Sequence, residues 1–291
     1  MPPERASTNV YQVSQRPGPI ARIGQVWRYR ELLVNLTRKE LKVKYKDSVL
    51  GFLWSLVNPL LYLVVFSIVF QEILRANVPY FAIFLLSGLL AWNLFSSGLG
   101  AATGSIVGNA GLVQKVWFPR EILPLASIGA SLVHFFLQLI VLVVALVAFR
   151  HEPAWGYIPA LLPAMAVLLL WTVAFGLALS AVNVYLRDTS HLLELVLLAW
   201  FWFTAIVYPY RLVADRLGDA AWVMLLNPMV PVVLAFQRVI YNPAASDAIL
   251  PEASLGWYLR NLGLSGLAAG AALVGALVVF GRLEDNLGEE I

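Results

Sequence analysis

Six separated apolar runs, each long enough to cross a bilayer, limit this chain more than any other feature. They lie near residues 50–72, 80–103, 122–149, 157–185, 190–210 and 261–281. A helix needs about 20 apolar residues to cross the hydrocarbon layer. A single soluble core could not hide all six runs, because only 13% of the 291 residues are charged, against about 25% in ordinary soluble domains. The expected fold class is therefore an all-α integral membrane protein with six transmembrane helices. A seventh apolar stretch, 222–241, contains Asn227-Pro228, Pro231, Gln237 and Arg238. Proline removes a helical hydrogen bond and arginine is costly in lipid. This stretch reads as an outer re-entrant segment between spans five and six, within a loop over 211–260, where surrounding protein shields its backbone.

Charge orients the spans. Ten of the 20 Lys and Arg residues lie in residues 1–48, which places the N-terminus inside. Six spans then leave both termini cytoplasmic, with Lys115, Arg120, Arg187 and Arg282 also on the inner side. Residues 1–23 read as a flexible cytoplasmic tail. Residues 24–47 read as an amphipathic interfacial helix. At about 100° per residue, Arg28, Glu31, Arg38, Lys39, Lys42 and Lys46 share one face, opposite Trp27, Leu33, Leu36 and Leu41. Residues 48–283 make the transmembrane domain, and 284–291 an acidic cytoplasmic tail. Ser96, Gly100, Gly104 and Gly108 recur every four residues. That spacing of small residues lets helices approach closely, within one subunit or between two.

Motifs for chemistry are missing. There is no cysteine, so disulfides and thiolate-bound metals are out. No G-x-x-x-x-G-K-[ST], G-x-S-x-G or H-E-x-x-H occurs. His134, His151 and His191 are scattered, and the His191/Glu194 pair lacks further ligands for a metal. No catalytic residue, metal site or nucleic-acid partner is expected. Arg187-Asp188, in the short inner turn between spans four and five, reads as a pair capping two helix ends. The inner connection 105–121 is longer than a plain turn needs. It mixes apolar residues with Lys115, Arg120 and Glu121, and reads as a docking surface or a second interfacial anchor. Trp54, Trp92, Phe95, Trp200, Trp202 and Tyr208 could line a path for sugars, or could form the aromatic belts found at membrane interfaces.

The run Arg38-Lys39-Glu40-Leu41-Lys42-Val43-Lys44-Tyr45-Lys46-Asp47-Ser48-Val49-Leu50-Gly51-Phe52-Leu53-Trp54, followed by Asn58-Pro59, resembles the approach to span one in ABC-2 type polysaccharide and polyol-phosphate export permeases. Lys115-Val116-Trp117-Phe118-Pro119-Arg120-Glu121-Ile122-Leu123-Pro124 is similar to that family's cytoplasmic coupling helix. Arg187-Asp188 and Asn227-Pro228 match shorter family features. The resemblance covers roughly residues 28–282. It implies a homodimer in the bacterial cytoplasmic membrane. Two copies of a separate ABC ATPase subunit would carry ATP and Mg, and this chain would hold no cofactor. The substrate implied is polysaccharide on a polyprenyl-pyrophosphate lipid (O-antigen, capsule, teichoic acid or galactan precursors). Phe118 would anchor the coupling segment in the ATPase, with Lys115, Arg120 and Glu121 as polar partners. Arg38 and Lys42 would gather the pyrophosphate headgroup at the membrane lipid surface.

Three other readings stay open at this stage, one of them a non-catalytic assembly protein that would stimulate no ATPase. A permease for small lipids or drugs would share the fold and differ only in cargo. A membrane-embedded glycolipid enzyme would need clustered carboxylates, and Asp215 and Asp219 are the nearest approach to a cluster.

Overall fold

A computed structural model describes residues 18–46, 48, 51–75, 78–242 and 249–284. Most of the tail read over 1–23, Asp47, and the acidic residues 285–291 lie outside the described residues. Every regular element among the described residues is helical.

Helix α1 spans Pro19–Arg28 and α2 spans Arg30–Tyr45. Proline suits a first helical position, where its missing N–H would have had no partner. Helix therefore begins before residue 24, and the tail expected to be loose through residue 23 is ordered over 19–23, with Arg22 buried. Tyr29 interrupts the single helix read over 24–47. Its N–H donates back to the Gln25 and Val26 carbonyls, and α2 starts on the next residue.

The first apolar run forms α3, Trp54–Ser67, which continues into a π-helical turn at Ile68–Ile73. Then come α4 (Phe81–Gly108), the short α5 (Ala110–Val113) and α6 (Ile122–Ala148). Helix α7 (Leu161–Tyr185) follows a 3-10 stretch, and α8 covers Thr189–Trp202. Helix α9 (Tyr210–Leu217), α10 (Met229–Ile240) and α11 (Leu255–Leu283) complete the order.

Among the described residues, four helical stretches are long and apolar enough to cross a membrane alone: Phe81–Gly108, Ile122–Ala148, Trp155–Tyr185 and Leu255–Leu283. Tyr210–Leu226 and Met229–Ile240 pass together but meet at a bend of 105°, and Pro59–Ile73 and Thr189–Trp202 are shorter apolar helices. By length alone the count is four, or five with the bent pair, against the six read from sequence. Run five differs for a local reason. Its helix stops at Trp202, and Ala205 takes a left-handed φ of +52°. Ala205, Ile206 and Val207 are nonetheless fully buried. Irregular backbone inside an apolar bundle survives only where other groups meet its carbonyls. Asn227 Nδ2 donates to the Phe203 carbonyl at 3.0 Å, and Gln237 Nε2 to the Ala205 carbonyl at 3.4 Å.

Helix α10 is buried along most of its length, packed against α4 and α7. This explains how it carries Pro231, Gln237 and Arg238: its surroundings are protein. A second apolar cluster gathers Leu36, Ile106, Phe118, Ile122, Leu177 and Phe280 at the end of the bundle that holds α2 and α5. Close approaches use particular glycines. A Cβ at Gly176 would lie 3.0 Å from Ala102 Cβ, and one at Gly129 would lie 3.0 Å from Thr37 Oγ1. Gly100, Gly104 and Gly108 face open space instead, so the four-residue stripe is not where this chain packs on itself.

Candidate functional site

Leu89, Trp92, Asn93, Ser96 and Ser97 of α4 follow the i, i+3, i+4, i+7, i+8 spacing that defines one helix face. That face floors two adjoining cavities. One, of about 420 Å³, is walled by Lys44, Tyr45, Trp54, Tyr62, Ser97, His134 and Gln138. The other, of about 440 Å³, is walled by Phe66, Trp92, Glu194, Phe201 and Trp202. Tyr62, Asn93 and Ser96 belong to both, so the two form one groove running from α2 and α6 to α8. Each half falls in the range of about 300–1,000 Å³ usual for small-molecule sites.

The walls are fixed by direct contacts. Asn93 Nδ2 donates to Gln138 Oε1 at 3.2 Å, tying α4 to α6. Tyr45 Oη hydrogen-bonds His134 Nδ1 at 2.9 Å, tying the end of α2 to α6. Tyr62 stacks on Phe66 with ring centroids 5.8 Å apart, Phe66 stacks on Phe201 at 6.0 Å, and Phe201 meets Trp92 edge to face at 5.8 Å. Such offset and edge-to-face pairs hold aromatic rings at defined angles. The groove therefore offers rigid ring surfaces beside amide and hydroxyl groups. A sugar has matching parts, apolar C–H faces and a rim of hydroxyls.

Of the six aromatics singled out from sequence, Trp54, Trp92 and Trp202 line this groove. Phe95 does not; it is fully buried against Phe175 and Trp200. Trp200 donates its indole N–H to Asn227 Oδ1 at 2.8 Å, and Tyr208 donates to the Trp202 carbonyl at 2.6 Å. Those three are committed to holding the bundle. Tyr62, Asn93, Ser96, Ser97, His134, Gln138 and Glu194 line the groove and were missed. Polar residues inside an apolar run were the available signal.

The coupling segment read over 105–121 holds the end of α4 through Gly108 and the short α5 at Ala110–Val113, and residues 114–121 are turn and irregular chain. Lys115 and Val116 are exposed, and Trp117 projects with 77% of its surface open. Phe118 is 4% exposed, packed in the second apolar cluster, and Pro119 is also buried. Phe118 therefore does not present the outward anchor read from sequence. Glu121 is buried as well and pairs with Arg22, which also bridges Glu284 at 2.7 Å. Arg120 donates to the Glu284 carbonyl at 2.6 Å. Burial, and after it the Glu284 charge, push the Glu121 carboxyl above the usual carboxylate range, against the pull of Arg22.

Arg187 and Asp188 are exposed, and Asp188 makes no side-chain cap to α8. The turn is held by Asn183 Oδ1, which accepts from the Ser190 N–H, and by Ser190 Oγ, which donates to the Arg187 carbonyl. Arg38 and Lys42 are exposed on α2 and neither lines the groove. Asp215 and Asp219 are exposed too. Among the described residues no group of three His, Cys, Asp or Glu could hold a metal.

Comparison with known proteins gives consistent matches. The ABC-2 type transporter family matches residues 31–241. The chain is 34% identical over 227 residues to the O-antigen export system permease protein RfbA of Myxococcus xanthus, covering 78% of this chain and 86% of that protein. It is 30% identical over 213 residues to a protein of the same description from Klebsiella pneumoniae, covering 73% and 81%. It is 23% identical over 219 residues to the polysialic acid transport protein KpsM of Escherichia coli, covering 72% and 81%.

Proposed function

Because the chain belongs to the ABC-2 type transporter family, we propose that it is the membrane permease subunit of a polysaccharide exporter, with the α4 groove as the path of the glycan. The observation that carries this reading is the lining of the groove: fixed aromatic rings beside Asn93, Ser96, Ser97 and Gln138. Rings stack on the apolar faces of successive sugars without demanding one hydrogen-bond pattern, so a polymer can slide past them. The similarity to O-antigen and polysialic acid exporters supports the same cargo class.

In this reading the glycan travels on a polyprenyl-pyrophosphate lipid from the cytoplasm across the inner membrane. The α3 and α8 helices join the four long helices as spans one and five, both termini are cytoplasmic, and the bent 210–240 segment is re-entrant on the outer side. Arg38 and Lys42, exposed on α2, attract the anionic headgroup to the inner surface. Two subunits pair, and two ATPase subunits supply ATP and Mg from outside this chain. Lys115, Val116 and Trp117 meet the ATPase, while Arg120 and Glu121 tie that contact to the bundle. Closure of the ATPase dimer on nucleotide then shifts the spans between two arrangements, since a ligand biases the state it binds better.

The test is transport of lipid-linked polysaccharide into sealed vesicles that hold this chain and its ATPase. Ser96→Trp, which fills the shared floor of both cavities, should stop transport while the complex stays assembled. Unchanged transport would remove the groove from the pathway.

A further inference from the structure

The groove is electrically lopsided. Lys44 is the lysine or arginine among its lining residues and sits at the α2 end, whereas the carboxylate, Glu194, lines the other half. Lys44 is exposed, but the helix that carries it is held. Helix α2 is seated on α6 by the Thr37–Gly129 contact, and the neighbouring Tyr45 hydroxyl is bonded to His134. Lys44 and His134 line the same cavity. Trp54 and Tyr62 stand in the same cavity, with Asn93, Ser97 and Gln138 around them.

An ammonium carried on a seated helix, two ring faces and neutral polar groups in one cavity match a ligand with one anionic group next to a sugar ring. A cation attracts phosphate strongly as a compact, hydrated point charge. The polar groups suit hydroxyls, and Glu194 repels an anion from the far half. We propose that the Lys44 cavity is a binding site for a sugar phosphate, with the phosphate on the Lys44 ammonium and the attached sugar against Trp54 or Tyr62. This deepens the export reading and rests on it. It assigns the anion to Lys44 inside the groove, a residue distinct from Arg38 and Lys42 on the exposed face of α2. The same chemistry occurs where a glycan joins its lipid and where a polymer carries phosphate, and the probes below separate the two.

The test uses the full chain with its ATPase in uncharged phosphatidylcholine nanodiscs, with binding followed by ligand-observed NMR. The probes are glucose 1-phosphate, glucose, inorganic phosphate and farnesyl-phosphoglucose. Glucose 1-phosphate should bind more tightly than glucose or phosphate. Lys44→Gln should weaken it about tenfold or more, the scale of a lost charged hydrogen bond, and Lys44→Arg should retain most of it. Trp54→Ala with Tyr62→Ala should weaken glucose 1-phosphate but not inorganic phosphate. Tighter binding of the farnesyl probe, still dependent on Lys44, supports the glycan–lipid junction as the ligand; equal binding supports phosphate within the polymer. Glucose 1-phosphate binding that is indifferent to Lys44→Gln would overturn the proposal, as would phosphate binding as tightly as the sugar phosphate. ATP turnover is read in the same samples. Turnover that still rises with glycan while Lys44→Gln leaves binding unchanged sinks the Lys44 site alone. Turnover in the unmutated complex that ignores every glycan sinks the export reading itself.

Discussion

Arg22 lies against Glu121, 99 residues further along the chain, with both side chains almost sealed from solvent. The same guanidinium reaches Glu284 at the end of α11. One cation thus fastens the N-terminal helix, the end of the 105–121 segment and the last long helix. Removing one member of a buried pair leaves the other charged and unpaired, at a cost of about 3–5 kcal/mol. Arg22→Ala should therefore lower the melting temperature of the purified chain markedly. Arg22→Met with Glu121→Gln should recover much of the loss, because no buried charge is stranded at residue 121. A double variant as unstable as Arg22→Ala would contradict this account of the pair.

The raised Glu121 carboxyl gives stability a pH dependence. Folding lifts this group above its unfolded value, near 4.3 for glutamate, so the folded chain keeps the proton to higher pH. The associated stability is fully present below the unfolded value and is lost as pH rises through the folded one. Melting temperatures across that window should fall in the unmodified chain relative to Glu121→Gln as pH rises. A constant difference would show that Glu121 does not titrate there.

Trp117 and Phe118 are neighbours with opposite exposures, 77% and 4%. Trp117→Ala should leave thermal stability nearly unchanged but weaken retention of the ATPase subunit on co-purification. Phe118→Ala should cost about 3–5 kcal/mol of stability, as for truncation of other core phenylalanines. If the two effects are exchanged, the orientation of this segment is wrong.

Asn227 holds the bend of the 210–240 segment. Its Oδ1 accepts from Trp200 Nε1 and from the Met229 N–H, and its Nδ2 donates to the Phe203 carbonyl. Asn227→Ala removes these three hydrogen bonds, two of them part-buried, each worth about 0.5–1.5 kcal/mol. Limited proteolysis should then cut the 203–228 region faster than in the unmodified chain. Unaltered cleavage would mean that the bend does not depend on Asn227.

Much of the helical frame is legible in the sequence. The apolar runs near 80–103, 122–149 and 157–185 overlie α4, α6 and α7 closely, because length and hydropathy are local properties. The early end of α8 is not legible. Apolar residues continue past Trp202, and the groups that make a buried turn tolerable, Asn227 and Gln237, lie 24 and 32 residues from the carbonyls they meet. The inward turn of Phe118 has the same character, since its neighbours Leu36 and Phe280 come from distant helices. For the groove, Asn93, Ser96, Ser97 and Gln138 were visible as polar residues within apolar runs, and Trp54, Trp92 and Trp202 as aromatics. Which aromatics face one another, and that Trp92, itself buried, reaches the groove while Phe95 does not, depends on packing that periodicity does not encode.

We propose that the α4 groove carries polysaccharide in a permease driven by a separate ATPase. The most direct measurement is ATP turnover by the purified complex, with and without lipid-linked polysaccharide, for the unmodified chain and for Ser96→Trp. Turnover should rise with the glycan in the unmodified complex and be indifferent to it in Ser96→Trp. A Ser96→Trp complex that responds to the glycan as fully as the unmodified one would contradict the proposal.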